Sequence, residues 1–272
     1  MSFYHEREES YADKVSALHC NDVLLFQYHC LESCPVTSGA IQKIGTVSKL
    51  RKVLLICGIL SVLVYVATDI IAGALYPGYS FTSQAVSELF AIGAPTSGLV
   101  VPLFTLSSVL LVAFAFGVWM SAAAAAGRNR ALRVMALMLI GNAINGLVLW
   151  NFFPMHMRGA ETTFTDTMHV TLAGTGVVFV LLALGFAIVA FRKWFRLYSI
   201  ATVVMLLVPG IVVFLYVPEV GGNQPTPWLG LEERISFYVY DLWQVALVIV
   251  LLWGEIDRKA MVKASSSQHT AP

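Results

Sequence analysis

The chain has 272 residues and a formal net charge of +1, and it is 58% hydrophobic but only 12% charged. Soluble domains carry roughly 25% charged residues, so this composition cannot cover a water-facing surface and part of the molecule must face lipid. The near-neutral charge, with no basic patch interleaved with aromatics, argues against nucleic acid as a partner.

Residues 1–42 read as a poorly ordered cytoplasmic extension. Glu6, Arg7, Glu8 and Glu9 open it, and no apolar core with a cleavage site follows, so it is not a signal peptide. His19-Cys20, His29-Cys30 and Cys34 lack the tight ligand pairs of a structural zinc site and are expected to stay reduced. Residues 43–258 read as an all-α polytopic bundle. A spanning helix needs about 20 mostly apolar residues. Six segments meet this, at 53–76, 98–121, 131–153, 168–191, 197–217 and 235–254. Cys57, inside the first, reads as a small apolar filler. Residues 259–272 are expected as a cytoplasmic tail.

Orientation follows from Lys and Arg, which gather on the cytoplasmic side. Lys43, Lys49, Arg51 and Lys52 precede the first span, and Arg128, Arg130 and Arg133 separate the second and third. Arg192, Lys193 and Arg196 separate the fourth and fifth, and Arg258, Lys259 and Lys263 follow the sixth. Only Arg158 and Arg234 fall on the opposite face. The unbroken alternation places both termini in the cytoplasm of a multi-pass plasma-membrane protein. Oligomeric state has no signal, because lipid-facing and helix-facing surfaces are both apolar.

The connections on the opposite, outer face carry the distinctive residues. The first has Val86, Leu89, Phe90 and Gly93 at helical spacing, which predicts a short interfacial helix between the Pro77-Gly78 turn and Pro95. In the third span Asn142 and Asn145, beside Gly141 and Gly146, are expected to find partners across a close helix interface. Ionisable groups within spans are costly and often functional. Asp69 and Asp241 each fall roughly 10 Å below the outer ends of their helices. Arg234, Tyr238 and Asp241 share a helical face, as do Asp166 and His169.

Two readings compete for this outer cluster. In one, His156, Asp166 and His169, with Glu88 or Glu232, converge on a divalent metal such as zinc, which activates water for hydrolysis of a lipid or lipid-linked substrate. Glu88, Asp69, Asp241 and Arg234 are then the catalytic candidates. In the other, Arg158 and Arg234 pair with carboxylates and lock the loops onto the bundle. The second needs no ion, and the His156…His169 spacing fits no compact metal motif. A proton-linked carrier using Asp69 and Asp241 is a third reading, weakened by the absence of inverted repeats. No residue pattern signals an organic cofactor.

The stretches Tyr76-Pro77-Gly78-Tyr79 with Gln84 and Ser87-Glu88-Leu89, Phe153-Pro154-Met155-His156 with Arg158-Gly159, Asp166 and His169, and Gly230-Leu231-Glu232-Glu233-Arg234 resemble a bacterial family of six-helix membrane proteins. That family is catalogued as domain of unknown function 998. The resemblance covers about residues 50–255 and implies the six-helix topology and a prokaryotic plasma membrane, but no activity and no site residues. The tail lies outside it, and one reading of that tail is an upstream start codon, with translation otherwise beginning near Val47 or Leu50.

Overall fold

A computed structural model describes residues 38–124 and 130–268. The histidines and cysteines of the tail, His19, Cys20, His29, Cys30 and Cys34, lie outside the described residues, as does Arg128. The chain divides into two units, Met1–Ser48 and Lys49–Pro272. Of the first, residues 38–48 are described, and they are helical. The second holds the bundle.

Among the described residues seven α-helices follow in order: α1 Ser38–Leu75, α2 Ser97–Ala124, α3 Arg130–Phe152, α4 Phe164–Ala190, α5 Lys193–Leu215, the short α6 Val217–Gly221 and α7 Leu229–Gln268. Among the described residues the only β contact is an isolated bridge between Ile92 and His156. Among the described residues six helices are long and apolar enough to cross a membrane, over Thr46–Leu75, Ser97–Ala123, Arg130–Phe152, Phe164–Ala190, Lys193–Gly221 and Leu229–Gly254. The all-α six-span class is therefore as expected from sequence. The spans are longer than expected at several starts. α4 begins at Phe164 because Thr163 caps it and Asp166 completes the capping box. α7 begins at Leu229, and Glu233 and Arg234 of its first turns are buried and bonded. It also runs on to Gln268, through most of the stretch expected as a tail.

Each helix buries one narrow stripe and leaves the rest apolar and exposed, as a lipid solvent requires. α5 shows the division. Ser199, Thr202, Leu206 and Pro209 are buried, while Val204, Val208, Ile211 and Leu215 are exposed. The same spacing of three and four residues governs both sets.

Consecutive spans pack on each other, α2 on α3, α3 on α4, α4 on α5 and α5 on α7. α1 closes the ring against α2 and α7. Ser61 and Ser107 each donate to the other's carbonyl at 3.0 Å. Gln244 Nε2 donates to Gly58 O at 2.9 Å. Gly117 permits the α1–α2 approach, because a Cβ there would lie 2.9 Å from the backbone nitrogen of Leu55. Asn145 Nδ2 donates across to Leu172 O at 2.9 Å, the interface role expected of that amide.

The apolar interior falls into two clusters. One packs Leu55, Phe114, Met135, Leu139, Leu184, Trp243 and Leu247 toward the basic end. The other packs Ala72, Val86, Leu89, Phe90, Val100, Phe104 and Leu149 beneath the connections at the opposite end. The expected interfacial helix is a 3-10 turn, Val86–Phe90, and it does not lie on the surface. Val86, Leu89 and Phe90 are buried, so the turn sits in the mouth of the bundle as a roof.

Candidate functional site

The connections 76–96, 153–163 and 216–228 form a cap over one end of the bundle, and three acidic side chains organise it. Asp69 is fully buried, an untenable place for a lone charge. Arg234 answers it with a fork of bonds, Nε to Oδ2 at 2.9 Å and Nη2 to Oδ1 at 2.7 Å. The Tyr238 hydroxyl also donates to Oδ2. The remaining guanidinium hydrogens go to the carbonyls of Phe81 (2.9 Å), Gln84 (3.2 Å) and Gly230 (3.1 Å) and to the Tyr79 hydroxyl (2.8 Å). The guanidinium also lies over the Phe81 ring, 4.9 Å from its centroid. Burial pushes the Tyr79 phenol up, against the opposing pull of Arg234. It therefore stays protonated and passes its own hydrogen to Ala85 O at 2.7 Å.

This arrangement fixes a glycine. A Cβ on Gly230 would meet Gln84 O at 2.2 Å and Phe81 O at 2.5 Å. Both are carbonyls that Arg234 holds, so neither can yield without breaking the network. We expect Gly230→Ala to lower stability by about 1–3 kcal/mol, the range for overpacking, read as a fall in melting temperature of the purified protein.

Glu88 is the second centre, 3% exposed. Arg158 clasps it through Nε and Nη2, both at 2.8 Å. The same Nη2 reaches Ser83 O at 3.0 Å and Thr226 Oγ1 at 2.8 Å, so one guanidinium ties together all three connections. The third centre is Asp166. It accepts from the backbone N–H of His156 (2.8 Å), from His156 Nδ1 (2.9 Å) and from the Thr163 N–H (2.9 Å) and hydroxyl (2.8 Å). The carboxylate thus caps α4 and pins the preceding loop. Ile92 N–H donates to Met155 O at 2.8 Å and joins that loop to the roof.

Of the residues singled out as metal ligands, His156 and Asp166 are brought together. His169 is turned away, its Nδ1–H donating to Phe153 O at 2.8 Å. Among the described residues no group of three His, Cys, Asp or Glu side chains is placed to hold a metal ion, so the set His156, Asp166, His169 and Glu232 does not converge. Of the catalytic candidates, Asp69 and Arg234 form one ion pair and Glu88 another, with Arg158. Asp241 joins neither. Although it shares a helical face with Arg234 and Tyr238, it looks into a cavity.

That cavity, about 230 Å³, opens inside the bundle beneath the roof. All six spans line it, with Ser61 and Tyr65 from α1, Phe104 and Ser107 from α2, Asn145 and Trp150 from α3, His169 from α4, Phe214 from α5, and Glu233, Phe237, Asp241 and Gln244 from α7. Val86 and Phe90 of the roof close it above. Its walls are mainly apolar and aromatic. Two carboxyl groups face it. Glu233 accepts from the Val86 N–H and has no cationic partner among the described residues. Asp241 Oδ2 is buried with no hydrogen-bond partner.

Glu233 and the cavity escape a reading of the sequence alone. Glu232 and Glu233 are one step apart, or 100° around the helix, and only the second falls in register with Phe237, Tyr240 and Gln244. That register is the signal that would have separated them.

No curated protein and no solved structure matches the chain. A model of the family described as "Protein of unknown function (DUF998)" matches residues 59–250, from within α1 to within α7 and across the whole cap and cavity. The chain therefore belongs to that family and is a multi-pass membrane protein with six helices able to span a bilayer.

Proposed function

We propose that this protein is a non-catalytic ligand-binding component of a bacterial plasma membrane, with both termini cytoplasmic and the cap facing outward. The Lys and Arg alternation supports the orientation. In this reading the cap is structural, since its acidic centres Asp69, Glu88 and Asp166 are each bonded to Arg234, Arg158 or His156. The binding site is the intramembrane cavity, and the observation that carries the reading is a mainly apolar pocket within the bundle with convergent polar groups left over. Scaled from a 150 Å³ cavity that holds benzene, it takes a ligand of about ten non-hydrogen atoms.

The test is calorimetric titration of 2-phenylethanol, a neutral probe of that size, into the full chain in lipid nanodiscs. Saturable binding that disappears in Ala173→Phe, which fills the wall, is the expected result. Binding unchanged in that variant, or no binding to the wild type of either this alcohol or a charged analogue of the same size, would overturn the reading.

The other readings draw less from the geometry. A metal-dependent hydrolase at the outer leaflet needs ligands that converge, and the described ones do not. We expect a chelator to leave the melting temperature unchanged. A carrier built on Asp69 and Asp241 loses Asp69 to Arg234.

A further inference from the structure

The polar lining of the cavity is lopsided. Among its ionisable groups are two carboxyls and one imidazole, and among the described residues no Lys or Arg lines it. The two arginines of this half of the bundle are already committed, Arg234 to Asp69 and Arg158 to Glu88. Donors of the wall are also spent on the protein's own carbonyls. Asn145 Nδ2 goes to Leu172 O, Gln244 Nε2 to Gly58 O, and His169 Nδ1 to Phe153 O. What is left facing the space is the Asp241 carboxyl, whose Oδ2 is bonded to nothing, and the Tyr240 hydroxyl, which also has no partner. Glu233, 9% exposed, lies about two helical turns nearer the cap on α7 and lines the same cavity.

A buried carboxylate is unfavourable unless it meets a positive charge or a hydrogen-bond donor. No cation among the described residues pairs with Asp241 and no donor reaches its Oδ2, so a cationic ligand supplies the partner that its charged form needs. The walls fit the rest of such a molecule. Tyr65, Phe104 and Phe90 form a run of stacked and edge-on rings, Tyr65 on Phe104 at 4.7 Å and Phe90 on Phe104 at 5.9 Å, and Trp150 adds its edge to Phe104 at 5.4 Å. Aromatic faces attract an organic cation and pack an apolar body equally well.

Resting on the ligand-binding reading above, we infer that the occupant is an organic monocation, a primary or substituted ammonium on a compact apolar or aromatic body. Asp241 is its counter-ion, Glu233 is a second acceptor nearer the roof, and the Tyr65, Phe104 and Trp150 rings hold the body. A cavity with this lining discriminates against anions, because their head would face two carboxyls with no Lys or Arg among the described residues of the wall. It admits a neutral alcohol of the same shape but leaves Asp241 without a charge to answer it.

The experiment uses the full chain in lipid nanodiscs and three probes of one size, 2-phenylethylamine, 2-phenylethanol and phenylacetate, titrated calorimetrically. A hydrogen bond to a charged group contributes about 1.5–3 kcal/mol, so the amine is expected to bind at least about tenfold tighter than the alcohol. Phenylacetate is expected not to bind. Asp241→Asn, which keeps the shape, should cost the amine at least about tenfold and the alcohol a clearly smaller factor, and a cooperative melting transition shows that the variant is folded. Glu233→Gln should weaken the amine by a smaller factor. An alcohol that binds as tightly as the amine, or an amine indifferent to Asp241→Asn, overturns the inference while leaving the ligand-binding reading intact. Failure of all three probes overturns both.

Discussion

Arg234→Ala is expected to lower stability by about 3–5 kcal/mol, the cost of stranding one charge of a buried pair. Asp69 is fully buried, and without Arg234 it keeps only the Tyr238 hydroxyl. The carbonyls of Phe81, Gln84 and Gly230 lose their shared donor in the same stroke. Arg234→Lys should recover only part of the loss, since a compact ammonium cannot fork to a carboxylate and reach three carbonyls at once. The paired replacement Asp69→Leu with Arg234→Met removes both charges and should be milder than Arg234→Ala alone. Denaturation in mixed micelles checks all three. If Arg234→Ala were neutral, the cap would not depend on this pair.

Arg158→Ala is the second large effect, and it differs in kind. It leaves Glu88 with the Ala85 N–H and Gln84 Nε2 but no cation. The Arg158 side chain is 17% exposed, so solvent softens the loss, and about 2–3 kcal/mol is expected. The spans pack through contacts that do not involve Arg158, so the loss should appear as local opening of the cap. Amide exchange should quicken across residues 153–163 and 222–228, while amides near Leu139 and Leu247 keep their protection. Uniform quickening along all six spans would mean that the cap and the bundle unfold together.

The sequence carried the spans because each is a long apolar run and because Lys and Arg alternate between faces. It was less informative about where helices begin. Thr163 reads as a loop residue until the capping box is seen, and Glu233 has no assigned part until the Val86 N–H is placed beside it. The roof was legible as a short helix but not as a buried one. Apolar spacing in Val86, Leu89 and Phe90 marks a face to be covered without saying whether lipid or protein covers it. The two outer arginines were readable as clamps, since unpaired cations at that depth must find carboxylates. The cavity had no local signature. Its wall takes one or a few residues from each of six helices, and Asp241 resembles Asp69 in sequence, type and depth. Only the three-dimensional arrangement shows that one has an arginine and the other faces open space.

That contrast between two aspartates is the centre of the account, and it can be measured directly. The quantity is the rise in melting temperature that saturating 2-phenylethylamine gives to Asp69→Asn and to Asp241→Asn. Asp69→Asn should melt lower than wild type but keep the ligand-induced rise, because its carboxylate belongs to the cap. Asp241→Asn should lose the rise. Loss of the rise in Asp69→Asn with retention in Asp241→Asn would contradict the assignment of cap and cavity.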